Sequence, residues 1–117
     1  LEKVTTLYGI PNCDTIKKAK KWLEANKIEY QFHDYRKDGL DESWLIKTES
    51  VLGWETMLNK RGTTYRQLSD EQKNTINKES ALALMLEFPA MIKRPILIHS
   101  DSYHIGFNVE SYSQVFA

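Results

Sequence analysis

"VTTLYGIPNCDTIKKAKKWL", residues 4–23, decides how the fold is read. Its opening is rich in β-branched and aromatic residues and stops at Gly9 and Pro11, which predicts a strand over Lys3–Tyr8. After Cys13, Ile16, Ala19 and Leu23 recur at helical spacing with Trp22 beside them. Lys17, Lys18, Lys20 and Lys21 cover the other face, so an amphipathic helix is predicted. Asn12 or Asp14 can cap its start. "EYQFHDY", residues 29–35, alternates Tyr30, Phe32 and Asp34 against Gln31, His33 and Tyr35. That alternation fits a second strand, and a helix between parallel strands makes a right-handed βαβ unit.

From Asp41 to Phe88 the character turns helical. Asp41 can cap a run whose Trp44, Leu45, Thr48, Val51 and Leu52 face inward, and Gly53 ends it. Short turns surround Gly62, Ser69 with Gln72 forms a capping box, and "NKESALALMLEF" is a helix starting near Asn77 and stopping before Pro89. "PILIH" and "YHIGF", separated by Ser100-Asp101-Ser102, read as a hairpin. Asn108 then caps a last helix that buries Val109, Tyr112, Val115 and Phe116. The order β-α-β, helical block, β-β-α closes most simply as an α/β fold. It is a mixed four-stranded sheet with the first and last helices on its faces. Residues 1–117 are expected to form a single domain, with 41–88 as a helical insertion within it. Ligands bind such sheets beyond the carboxyl ends of the parallel strands, where Cys13 lies.

The chain has 117 residues, 41% hydrophobic and 27% charged, which indicates a globular domain and excludes a disordered tail. Net charge is zero, so nucleic-acid binding would need a local basic patch and is not expected. No apolar run approaches the roughly 20 residues that span a bilayer, and no signal peptide is evident. Cys13 is the only cysteine. An internal disulfide is impossible, a reducing cytoplasm is the expected compartment, and disulfide chemistry must take its second sulfur from another molecule.

Cys13 at a helix N-terminus would meet unpaired N–H groups and a partial positive charge, both of which stabilise a thiolate. Lys17, one turn on, would add charge. The alternative, a cysteine that is merely small and buried, stays open. Arg61 in "NKRGTT" and Arg94 in "IKRPIL" offer forks for an oxyanion or carboxylate, unless each is a solvated surface charge. Arg36 and Arg66 are read as surface charges. Pro95 alone predicts a trans bond, since only about 5–6% of X-Pro bonds in folded proteins are cis. His33, His99 and His104 lack metal-ligand spacing, so no metal is expected.

"GIPNCDTIKKAKKWL", "HDYRKDGL", "MLNKRGTTYRQL", "ALALMLEFPAMIKRPIL" and "IGFNVESY" together resemble the arsenate reductase (ArsC)/Spx family, with the nearest likeness to its YffB-type branch. The resemblance spans nearly the whole chain in motif order. It implies a thioredoxin-like sheet with a helical insertion and Cys13 as nucleophile. It also implies Arg61 and Arg94 at cleft positions, and Pro95 as the cis-proline of thioredoxin-like folds.

The chain departs from the family in three places. Where arsenate reductases of this type carry an arginine one turn after the cysteine, Lys17 stands here. Where they carry a third arginine before the last helix, the nearest position is Phe107. Where Spx-type regulators often have Cys-x-x-Cys, the second position is Ile16. The combination implies a glutathione-dependent thiol reductase in which Cys13 forms a mixed disulfide. Glutathione or a glutathionylated protein would be the partner, and no cofactor is bound. Arg61, Arg94, Lys17, Asn12 and Pro95 would form the substrate and anion site. A monomer is expected. The alternatives are an Spx-like regulator that contacts RNA polymerase or another protein, and a weak arsenate reductase.

Overall fold

The computed structural model describes residues 4–11 and 13–117. Two compact units make up the chain, Leu1–Gly39 with Arg94–Ala117, and Leu40–Lys93.

In the first unit, β1 (Thr5–Gly9) pairs parallel with β2 (Gln31–Asp34) and antiparallel with β3 (Ile96–His99), which pairs antiparallel with β4 (Ser102–Ile105). The order β2-β1-β3-β4 makes the mixed four-stranded sheet. The predicted start of β1 at Lys3 lies outside the described residues. Its end runs through Gly9, whose carbonyl accepts the Tyr35 N–H at 3.0 Å.

α1 (Asp14–Ala25) and α7 (Val109–Val115) cover the same face of the sheet. Leu7 stands opposite Leu97, and both pack with Ala19 and Leu23 of α1 and Tyr112 of α7 in one buried cluster. The Trp22 ring meets Tyr112 edge-on at 5.6 Å and lies 6.1 Å from Phe116, so the two helices touch. Removing a buried leucine from such a cluster costs about 2–5 kcal/mol. Val109, expected in the core, is 53% exposed, because it opens the first turn of α7 beyond the sheet.

The second unit contains α2 (Glu42–Leu52), α3 (Trp54–Met57), α4 (Thr63–Arg66), α5 (Asp70–Asn74) and α6 (Lys78–Glu87). The Ser69–Gln72 capping box forms as predicted, and Asn77 with Ser80 makes a second. α2 differs from its predicted facing. Its buried stripe is Leu45, Thr48 and Glu49, while Val51 is 52% exposed. Glu49 tolerates burial because its carboxylate accepts the Trp54 N–H at 3.2 Å and lies 3.5 Å from Lys78 Nζ. A short antiparallel bridge, Leu58 with Ile92, ties the end of α3 to the segment that leads to Arg94.

Two stability outcomes are expected. A Cβ at Gly9 would fall on Ile16 Cδ1 and lie 3.1 Å from Ile16 Cγ1, and Ile16 is fully buried. Gly9→Ala should therefore cost about 1–3 kcal/mol in urea unfolding; a loss below about 0.5 kcal/mol would show that Ile16 yields freely. His104 Nε2 is buried with no hydrogen-bond partner among the described residues, and burial, with His99 nearby, lowers the pKa of its ring. The unfolded chain then takes the proton first, so stability falls as pH drops through the ordinary histidine range. His104→Phe should flatten that fall between about pH 7 and pH 5, and an unchanged slope would contradict the assignment.

Candidate functional site

The end of β1, the start of α1, the end of β2 and the start of β3 meet at the carboxyl end of the parallel pair. Cys13 is the N-cap of α1, with extended backbone at φ −98° and ψ 130°, and its carbonyl accepts the Lys17 N–H at 3.1 Å. The Cys13 side chain makes no capping hydrogen bond of the usual oxygen kind. Asn12, one of the two predicted caps, lies outside the described residues. Asp14, the other, is the first residue of the helix and leaves the cap position to cysteine.

The half-buried Cys13 thiol is governed by opposed effects. Burial pushes its pKa up. The Ile16 N–H, the Arg94 guanidinium and the Thr15 N–H favour the charged sulfur and outweigh that cost, so the thiol is held below its usual range. The sulfur thus faces the donors that a capping oxygen would otherwise satisfy.

The cation at the sulfur corrects one expectation. Lys17 is exposed and is not among the groups that act on Cys13, whereas Arg94 is. The reason is topological. β3 runs antiparallel beside β1, with Ile96 opposite Tyr8, so Arg94 and Pro95, the two residues before β3, arrive at the end of β1. A Cβ built on Gly9 would stand 3.9 Å from Arg94 Cβ. The Arg94–Pro95 peptide bond is cis, Pro95 is buried, and its carbonyl accepts the Gly106 N–H at 2.8 Å.

Two tyrosines at this edge escaped the sequence reading. Tyr35 is 3% exposed; burial pushes its pKa up, Tyr8 adds to the rise and Arg94 opposes it. Tyr35 is therefore a neutral phenol near the guanidinium. The Tyr8 ring stacks on Tyr35 at 6.5 Å and lies 5.2 Å from His33. The available signal was positional: Tyr35 directly follows the strand that runs parallel to the one leading to Cys13.

Arg61 belongs to the second unit. It is exposed, and its backbone N–H donates to Asn59 Oδ1 at 3.1 Å. With Lys60 and Lys93 it borders a polar cleft of about 450 Å³. Phe107 is half-buried and packs edge-on against Tyr112 at 4.9 Å, so that position serves the core. Among the described residues, no cluster of His, Cys, Asp and Glu could hold a metal ion, and no helix is long and apolar enough to cross a membrane.

The ArsC family model matches residues 8–115. An uncharacterised protein of Haemophilus influenzae is 48% identical over 112 residues, covering 96% of this chain and 98% of its own. The global transcriptional regulator Spx 1 of Lactococcus lactis is 32% identical, over 87% of this chain and 80% of its own. The solved structure of the YffB protein superposes with a TM-score of 0.92 at 42% identity, covering 97% of this chain and 100% of that one. The mixed sheet with its helices therefore matches the thioredoxin-like architecture of these proteins.

The ionisation of Cys13 should follow Arg94. In iodoacetamide alkylation measured against pH, the wild-type midpoint should lie below that of a free thiol. Arg94→Ala should raise it, and Lys17→Ala should leave it in place. A shift with Lys17→Ala and none with Arg94→Ala would reverse the assignment.

Proposed function

This chain belongs to the ArsC family, and on that footing we propose that it is a single-cysteine thiol–disulfide reductase that uses glutathione as co-substrate and needs no bound cofactor. The observation that carries the reading is the position of Cys13, whose sulfur meets the N–H groups of α1 and the Arg94 guanidinium. With one cysteine in the chain, the resolving sulfur must come from outside.

In the proposed cycle the Cys13 thiolate attacks the glutathione sulfur of a glutathionylated protein. The new bond joins Cys13 to glutathione, the old disulfide breaks, and the protein leaves as thiolate and takes up a proton. A second glutathione, as thiolate, attacks the glutathione sulfur on Cys13. That step releases glutathione disulfide and restores the Cys13 thiolate. The net turnover consumes one free glutathione, which leaves joined to the substrate's glutathione as glutathione disulfide, while the protein is released as a thiol. Arg94 holds the anionic end of the ligand or the leaving sulfur, and buried cis-Pro95 presents backbone beside the reacting bond. Arg61 is proposed as a further carboxylate contact on the family resemblance alone. Lys17, exposed on α1, adds only to the surrounding field, and Asn12 is kept as an anion contact on the family resemblance alone.

Arsenate reduction fits less well, because the position before the last helix that the family gives to arginine is occupied by Phe107, packed on Tyr112. A second reading, a protein-binding regulator, is favoured by the 32% identity to a transcriptional regulator named Spx 1. Selective partner binding that survives Cys13→Ser, with no thiol turnover by the wild type, would move it ahead.

Calorimetric titration with glutathione tests the proposal. Arg94→Ala should weaken binding about tenfold, from the loss of a hydrogen bond to a charged group. Arg61→Ala should weaken it less, because Arg61 is exposed to screening solvent. Arg36→Ala should be silent. Wild-type protein that binds no glutathione at about 1 mM, or equal binding by Arg94→Ala, would remove glutathione from the mechanism.

A further inference from the structure

α6 carries six consecutive apolar residues, Ala81 to Leu86, yet only Ala81 and Met85 are buried. A helix apolar on all sides normally lies wholly inside a core. Here the remaining side is left to a groove. Leu82, Ala83 and Leu86 of α6 and Ile46 of α2 line a cavity of about 290 Å³, and Ile46 is 49% exposed. The groove is mostly apolar, and among the described residues its charged lining is Glu42 and Glu79. Each of these lies in the first turn of its own helix, where a carboxylate is favourable, and together they give the rim one sign. The lysine of the α6 first turn does not offset them, since Lys78 Nζ is directed at Glu49, 3.5 Å away.

We propose that this groove is a docking site for a basic amphipathic helix of a partner protein, which seats aliphatic side chains between Ile46 and the Leu82–Leu86 face and sets lysine or arginine against Glu42 and Glu79. The span from Glu79 to Leu86 is about two helical turns, which matches anchors at i and i+4 or i+7. The acidic rim selects the occupant. Fatty-acid carboxylates and nucleic-acid phosphates would be repelled by it, and a partner with a neutral rim would leave two carboxylates facing apolar surface. The site lies wholly within the helical unit and uses none of the thiol chemistry, so the outcome of its test does not depend on glutathione.

The test uses two synthetic helical peptides of about 15 residues, one of leucine and lysine and one with glutamate in place of every lysine. Each is titrated into the full chain and followed by amide and methyl NMR. The lysine peptide should shift Ile46, Leu82, Ala83 and Leu86, and the glutamate peptide should bind at least about tenfold more weakly. The double variant Glu42→Gln with Glu79→Gln, which leaves the apolar lining intact, should lose most of that preference. Ile46→Gln, at a half-exposed position that folding tolerates, should weaken the lysine peptide. Equal binding of both peptides, shifts elsewhere, or no binding would overturn the proposal. Groove shifts that grow with protein concentration in the absence of peptide would overturn it too, because the occupant would then be a second copy of this chain.

Discussion

The close approach of Ile16 to Gly9 is the constraint on which the rest of the first unit depends. Only a residue without a Cβ lets the first turn of α1 settle directly over the end of β1, and Ile16 fills that space completely. The contact fixes where the helix begins. Because it begins there, the residue just before it is held with its sulfur against the N–H groups of the first turn. On the same face, α1 continues onto Leu7 and Leu97 and meets α7 through Trp22 and Tyr112. One packing choice at the edge of the sheet thus links core stability to the placement of the thiol.

The electrostatics of the site come from backbone and topology more than from nearby lysines. A helix N-terminus offers donors whatever its side chains are, and here a cysteine stands at the cap position where a side-chain oxygen is usual. The guanidinium arrives from the start of β3, on a segment that passes through a buried cis-proline and is tied by the Gly106 N–H. Tyr35, buried and neutral near Arg94, leaves the guanidinium as the cation that acts on the sulfur at this edge. Such an edge favours an anionic sulfur and an anionic ligand together, which is the requirement of thiol–disulfide exchange with glutathione.

Much of this was legible in residues 4–23, because a β-branched run, a Gly-x-Pro break and a lysine-faced helix each have a local physical cause. The order of elements along the chain and the hairpin followed from the same kind of signal. What could not be read were features that arise only when distant segments meet. Lys17 is near Cys13 along the helix, but Arg94 is near it in space, and only the antiparallel pairing of β3 with β1 makes that so. Tyr35 looked like the last residue of an alternating strand, with nothing to mark it as a neighbour of the guanidinium. In α2, helical spacing allowed Val51 or Glu49 to face inward; Lys78 and the Trp54 N–H, both outside that helix, decide for Glu49. The apolar excess of "ALALML" was visible in the sequence, while the groove that exposes half of it needed the position of α2.

The central claim is that Cys13 acts as a nucleophilic thiolate whose mixed disulfide is resolved by an external thiol. Intact-mass spectrometry of the reduced chain mixed with glutathione disulfide at neutral pH tests it most directly. The account predicts rapid gain of one glutathione moiety on Cys13, complete reversal by reduced glutathione, and a much slower gain in Arg94→Ala. An unmodified chain under those conditions, or an adduct that forms no faster than on a small free thiol of ordinary pKa, would contradict it.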